Sequence, residues 1–235
     1  MGSLLFNLKY ITKHPEFVLQ YLVRSNYLSN LTCEKRLVIK DYLKEYIEIN
    51  ADIELKLKKL PYLGWMDKRK NEVLYTLVRI SKPEIVVETG VDAGVSSAII
   101  LRAMELNGRG RLYSIDAGLW CFDGIILPPN KPIGFIIPED LKVKWKLIVG
   151  YSKEVLEPLL KDLNLIDLFF HDSEQSYENM MYEYETAWKY LKKGGYLVSD
   201  NIEWNNAFDD FIRAKGGKVL AKKFYSLGIM RKLKD

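Results

Sequence analysis

The spacing of hydrophobic positions changes near residue 83. Before it, apolar residues recur at every third or fourth position: Leu4, Leu5, Leu8 and Ile11; then Phe17, Val18, Tyr21 and Leu22; then Leu37, Val38, Tyr42, Leu43 and Tyr46. That spacing predicts amphipathic helices, the second with Pro15 in its first turn. A shorter stretch over 53–60 stops at Pro61. Asp67 caps a helix reaching about Ile80, with Val73, Leu74, Leu77 and Val78 on one face. After Pro83, short apolar runs alternate with helical segments. The predicted strands are 85–88, 112–116, 145–149, 166–171 and 196–199, and the helices 95–106, 153–163 and 177–191. Strands separated by helices imply right-handed βαβ units and a parallel sheet. A helix over 206–214 precedes two strands, 218–224 and 227–232, joined around Ser226 and therefore antiparallel.

The segment 117–143 breaks this rhythm. It holds Pro128, Pro129, Pro132 and Pro138 beside apolar Ile125, Ile126, Phe135, Ile136 and Ile137. An insertion after a strand's C-terminal end lies where α/β folds place ligands, which suits a lid or pocket wall; a long surface loop is the other reading.

Composition narrows the classes. The 235 residues allow one or two domains, and the apolar fraction of 48% suits a packed core. Cys33 and Cys121, with His14 and His171, cannot form a disulfide framework or a four-ligand zinc cluster. No run of 18 apolar residues predicts a membrane span, and the first residues lack signal-peptide features, so a cytoplasmic protein is expected. The net charge of +4 arises in the first third, where residues 1–84 carry 15 Lys and Arg against 10 Asp and Glu. Interleaved acids favour a solvated helical surface over a patch for an anionic partner.

The chemistry gathers at strand ends. Glu88-Thr89-Gly90-Val91-Asp92-Ala93-Gly94-Val95-Ser96-Ser97 reads as strand, sharp turn at Gly90, close backbone approach at Gly94, and a helix N-terminus with free N–H groups. Asp116 ends the second strand, where an acid accepts hydrogen bonds from ribose hydroxyls or caps a helix. Together these features argue for a nucleoside-containing cofactor. The fourth and fifth strands end in His171-Asp172 and Ser199-Asp200-Asn201. Parallel neighbours would place Asp172, Asp200 and Asn201 side by side as hard oxygen ligands for Mg²⁺ or Ca²⁺, unless Asp200 and Asn201 merely cap the next helix.

From Glu88 onward the chain resembles class I S-adenosylmethionine (SAM)-dependent methyltransferases. The resemblance covers about residues 62–235 and rests on Glu88-Thr89-Gly90…Gly94-Val95-Ser96, Asp116, Gly150-Tyr151-Ser152, Lys192-Lys193-Gly194-Gly195 and the final hairpin. It implies a Rossmann-like, doubly wound, seven-stranded, mostly parallel α/β sheet with an antiparallel C-terminal hairpin. It implies that Glu88, Gly90, Gly94 and Ser96 seat the cofactor's amino-acid part, Asp116 its ribose and Ser152 its adenine border, with Asp172 also in the cofactor-binding set. Asp200-Asn201-Ile202-Glu203-Trp204-Asn205 resembles the metal-binding stretch of catechol and caffeoyl-CoA O-methyltransferases. That implies a divalent cation, most simply Mg²⁺, on Asp172, Asp200 and Asn201.

Position 175 departs from the pattern. Relatives often carry His or a catalytic Lys there, whereas Gln175 cannot take a proton. His171 is expected on the opposite strand face, as a core histidine. Proton removal from an acceptor would then rest on the metal or on a lid base. The expected organisation is a helical extension over 1–61, serving as cover or dimer surface of a homodimer, and a catalytic domain over 62–235, with Trp65 and Met66 near the cofactor. The expected reaction is O-methylation of a small-molecule hydroxyl, with Asp172 and Gln175 as catalytic residues and no nucleic-acid or membrane partner. An RNA-modifying enzyme and a catalytically weak cofactor-binding relative are the alternatives.

Overall fold

The computed structural model describes residues 15–58, 68–118, 121–122, 125–126 and 131–234. The expected helix over 4–11, the Asp67 cap, Trp65, Met66 and part of segment 117–143 lie outside the described residues.

The first third is helical, as its periodicity requires. The helices are α1 (Pro15–Thr32), α2 (Arg36–Ile49), α3 (Ala51–Lys58) and α4 (Lys68–Ser81). Next come β1 (Ile85–Thr89), α5 (Val95–Leu106) and β2 (Arg111–Asp116). Within the insertion, β3 (Cys121–Phe122) and β4 (Ile125–Ile126) form a small antiparallel pair that the proline content concealed. The alternation continues through β5 (Trp145–Val149), α6 (Ser152–Leu163), β6 (Ile166–His171), α7 (Tyr177–Tyr190) and β7 (Leu191–Ser199). It closes with α8 (Ala207–Lys215), β8 (Val219–Phe224) and β9 (Leu227–Lys232). β7 starts five residues before the expected Tyr196. Its early part, Leu191-Lys192-Lys193-Gly194-Gly195, lacks the apolar run that marks a buried strand, and its register with β6 is irregular there.

The main sheet has the order β5-β2-β1-β6-β7-β9-β8. β2, β1, β5, β6 and β7 are parallel, whereas β9 runs antiparallel to β7 and to β8. After β1 the chain winds outward through β2 and β5, then returns to add β6 on the other side. The crevice at the C-terminal ends of β1 and β6 is therefore the topological switch point, where such sheets bind ligands.

Strand alternation assigns the two faces. Val86, Phe170 and Val198 pack with α4, α5 and the N-terminal helices, while Val87, Phe169 and Leu197 pack with α6, α7 and α8. The N-terminal helices are not a detached appendage. Leu28, Leu31, Ile39, Leu43, Tyr46 and Ile53 share one apolar core with Leu77, Ile99 and Ile229. Polar ties follow the same route. Arg24 and Glu72 form a buried ion pair at 3.1 Å, Arg79 meets Glu45 at 2.6 Å, and the Tyr27 hydroxyl donates to the Lys222 carbonyl at 2.8 Å. Bases of the positive first third are thus paired internally.

Leu28 is fully buried where α1 meets this core. Leu28→Ala is expected to cost roughly 2–5 kcal/mol by urea unfolding. A change below about 1 kcal/mol, or an early separate transition, would show that α1 is not part of the cooperative core.

Candidate functional site

The crevice starts at the turn after β1. Gly90 has φ +83° and its N–H donates to the Ile115 carbonyl at 2.9 Å. A Cβ there would sit 2.1 Å from the Asp172 carbonyl oxygen, so only glycine lets the turns after β1 and β6 meet. Gly94, at φ +93°, has the same role against the insertion. A Cβ on it would meet the Gly134 Cα at 2.7 Å and Ile137 Cγ1 at 2.8 Å. The Gly134 and Ile136 N–H groups donate to the Asp92 and Ala93 carbonyls, and Ile136 and Ile137 are buried. The described end of segment 117–143 is therefore a docked wall over the glycine turn.

The structure turns two expected cofactor contacts inward. Glu88 is fully buried on the α5 face. It accepts hydrogen bonds from Ser96, Ser97 and Ser114, the last at 2.7 Å. Glu88 and Ser96 thus tie β1 to α5 beneath the crevice and do not point into it. Burial pushes the Glu88 carboxyl above its ordinary range, against the pull of these hydroxyls, and the Asp116 charge adds to the upward push.

Asp116 stands at the end of β2, partly exposed. One carboxylate oxygen accepts from the Val91 N–H at 2.9 Å and the Asp92 N–H at 3.0 Å, and the other from the Gly118 N–H at 2.8 Å. It therefore holds the glycine turn in shape, and among the described residues these donors leave one of its roughly four lone-pair directions for a ligand. Asp92 lies beside it at φ +52°. Burial raises the Asp92 carboxyl, the Ala93 N–H opposes this, and the Asp116 charge reinforces it.

Asp172 follows the end of β6, next to β1, and Asp200 the end of β7, next to β6, as their sequence positions imply. Part of Asp172 is exposed in the crevice. Desolvation nevertheless pushes its carboxyl well above the ordinary range, and the Asp200 charge adds to this while Lys70 pulls it back in part. Asp200 is buried, and both its oxygens receive the Lys70 ammonium at 2.7 Å. The Asn201 N–H donates to Asp200 Oδ1 at 2.8 Å, with Asn201 in the left-handed region at φ +51°. Neither residue caps α8; Asn205 Oδ1 accepts the Ala207 N–H there, at 2.8 Å.

Lys70 was not among the residues singled out from the sequence. It sits in the first turn of α4, whose opening Lys68-Arg69-Lys70 includes no acid. Cations at a helix N-terminus oppose the macrodipole, and that local misfit was the available signal. The donor set expected for Mg²⁺ consequently does not fit a divalent ion as it stands, because Asp200 is closed by an ammonium. Among the described residues no group of three His, Cys, Asp or Glu side chains is placed to hold a metal ion.

On the opposite face lies a buried polar hub. His171 is fully buried, as expected for a core histidine. Its Nδ1 lies 2.7 Å from Glu183 Oε2, and its Nε2 3.3 Å from Gln175 Oε1. Glu183 also accepts from Thr89, from Ser173 at 2.7 Å and from Asn179 at 3.1 Å. Ser152, at the start of α6, donates to Asn179 at 3.4 Å and so borders this hub. Gln175 is also held at its main chain, where the backbone carbonyl accepts from Asn205 Nδ2 at 2.8 Å. Burial pushes the Glu183 carboxyl up, but attraction to His171 and hydrogen bonds from His171, Ser152 and Thr89 outweigh it and hold the carboxyl below its ordinary range.

Comparison with known proteins agrees with this geometry. Residues 87–202 match the model of a family described as a methyltransferase domain. No curated protein matches the chain. Among solved structures, the chain is similar to an O-methyltransferase from Bacillus cereus in complex with SAH, with 19% identity, TM-score 0.57, and coverage of 89% of this chain and 96% of that one. The O-methyltransferase TomG from Streptomyces achromogenes, involved in tomaymycin synthesis and in complex with SAM, gives 17%, 0.57, 89% and 96%. An SAH-bound methyltransferase from Podospora anserina gives 17%, 0.55, 83% and 88%. At these identities the likeness is one of fold: a seven-stranded Rossmann-like sheet. Among the described residues no helix is long and apolar enough to cross a membrane.

Glu183 has a folded-state pKa below its ordinary 4.5, so unfolding increases its proton affinity. Its stabilisation is complete above that ordinary value and is lost as pH falls through the lowered one. Glu183→Gln is expected to flatten the acid limb of the stability profile and to cost roughly 3–5 kcal/mol at neutral pH. Urea unfolding between pH 3 and 7 measures both, and an unchanged acid slope would rule out Glu183 as its source.

Proposed function

We propose that this chain, whose residues 87–202 match a methyltransferase-domain family, transfers the methyl group of SAM to a hydroxyl oxygen of a small molecule. The observation that carries this reading is the crowding of Asp92, Asp116, Asp172 and Asp200 at one switch-point crevice. Burial and mutual repulsion raise two of these carboxyls, and a ligand bearing positive charge relieves that cost. The cofactor fits this demand with a sulfonium and an α-ammonium. Asp116 keeps a lone pair for a ribose hydroxyl after its backbone donors are counted.

When bound, SAM supplies a methyl group on sulfur that is electrophilic without protein assistance. The chain's own tasks are orientation, exclusion of water and handling of the acceptor's proton. Ile136 and Ile137 wall the glycine turn against solvent. Asp172 reaches the crevice with a raised proton affinity, and it is the group we assign to accept the hydroxyl proton as the acceptor oxygen bonds to the methyl carbon and the carbon–sulfur bond breaks, its electron pair leaving with sulfur as a neutral thioether. Gln175 cannot accept a proton; tethered by His171 and Asn205, it orients the acceptor. No step is assigned to a divalent ion, because Lys70 closes Asp200. The Bacillus cereus and Streptomyces achromogenes proteins are O-methyltransferases, which supports oxygen as the target. The internal pairing of Arg24 and Arg79 supports a small acceptor over RNA.

Titration calorimetry is expected to show SAM binding at one site per chain, and its absence would overturn the assignment. With labelled SAM and a panel of phenols and sugar hydroxyls, Asp172→Asn is expected to lower kcat by about 10²-fold or more. Retention of full activity would remove Asp172 from its role.

A further inference from the structure

We infer that Lys70 is a built-in cation: its ammonium stands at the Asp172–Asp200 edge in place of a divalent ion and presents one N–H to the acceptor oxygen. This inference rests on the methyl-transfer reading but concerns a different group and a different measurement.

Three observations carry it. The ammonium meets both Asp200 oxygens at 2.7 Å, and the pair is largely removed from water, with side-chain exposures of 12% and 10%. An ammonium has three N–H groups; among the described residues Asp200 alone engages it, through two, and one is left. The placement is also set by the fold. α4 ends just before β1, so its first turn lies at the C-terminal edge of the sheet, beside the crevice. Asp200 follows Ser199, whose hydroxyl bonds Tyr184 on the α7 face, so alternation turns Asp200 to the α4 face. Lys70 and Asp200 thus meet although they are 130 residues apart.

The chemistry differs from that of a divalent ion. A metal would chelate two neighbouring oxygens of an acceptor and draw Asp172, Asp200 and Asn201 around itself. A single remaining N–H meets a single oxygen. It stabilises the negative charge that develops as the hydroxyl proton leaves, and it requires no vicinal pair of hydroxyls.

Mn²⁺ titration followed by electron paramagnetic resonance tests this on the full chain, with Mn²⁺ as the probe. The wild type is expected to leave the free Mn²⁺ signal unreduced up to about 1 mM. Lys70→Met uncovers the carboxylates and is expected to bind Mn²⁺ at least about tenfold more tightly than the wild type, a gain absent from Lys70→Arg and removed by adding Asp200→Asn. Wild-type binding that Asp200→Asn abolishes would overturn the proposal. So would a folded Lys70→Met, judged by an intact SAM calorimetric signal, that gains no site. If Lys70→Met does not fold, the wild-type titration and its Asp200→Asn control decide alone. Failure of SAM binding would instead strike the methyl-transfer reading, so the two failures are distinguishable.

Discussion

The site depends on one close approach. The Gly90 turn comes so near the Asp172 carbonyl that a Cβ would overlap it, and the Asp172 N–H in turn donates to the Thr89 carbonyl at 2.9 Å. These contacts bind the ends of β1 and β6 together where strand order reverses. With β1 also paired to β2 and β6 to β7, the acids that follow these strands converge on one crevice. A side chain at residue 90 would have to move either the turn or the strand end, and the crevice floor would move with it.

Convergence creates an electrostatic problem, and the fold solves it separately for each acid. Glu88 receives serine hydroxyls. Asp116 receives backbone amides. Asp200 receives an ammonium. Among the described residues Asp172 has no comparable partner for its carboxylate, and burial, with the Asp200 charge, raises its proton affinity. The least compensated acid is the one best suited to exchange a proton with a ligand. The far face shows the complementary arrangement. There Glu183 is surrounded by donors, its carboxyl is held low, and the hub fixes His171 and Gln175 from behind.

The N-terminal helices contribute to the site as well as to the core. Their apolar faces merge with one face of the sheet, and Lys70 is delivered from the last of them. Charge counting located the basic excess in the first third of the chain without separating Lys70 from its neighbours. Burial and a specific acid opposite separate it.

The amino-acid sequence alone determined the elements, because helical and strand periodicities are short-range. The helix over 95–106 and the strands 145–149, 166–171 and 227–232 coincide with those read from spacing. It also determined that Gly90, Asp116, Asp172 and Asp200 lie at strand ends and Gly94 at the start of the following helix. Boundaries slipped where the local signal was weak, as in the glycine-bearing start of β7 and the small β3–β4 pair. Only the tertiary structure decided where each side chain points and what it meets. Glu88 and Ser96 read as cofactor contacts from their motif, yet they bond each other inside the wall. Asp200 read as a metal ligand, yet it meets a lysine from a helix far away in sequence. Periodicity records which face of an element is apolar. It carries no record of which residue of another element packs opposite, and at a crowded edge of buried acids that pairing sets the chemistry.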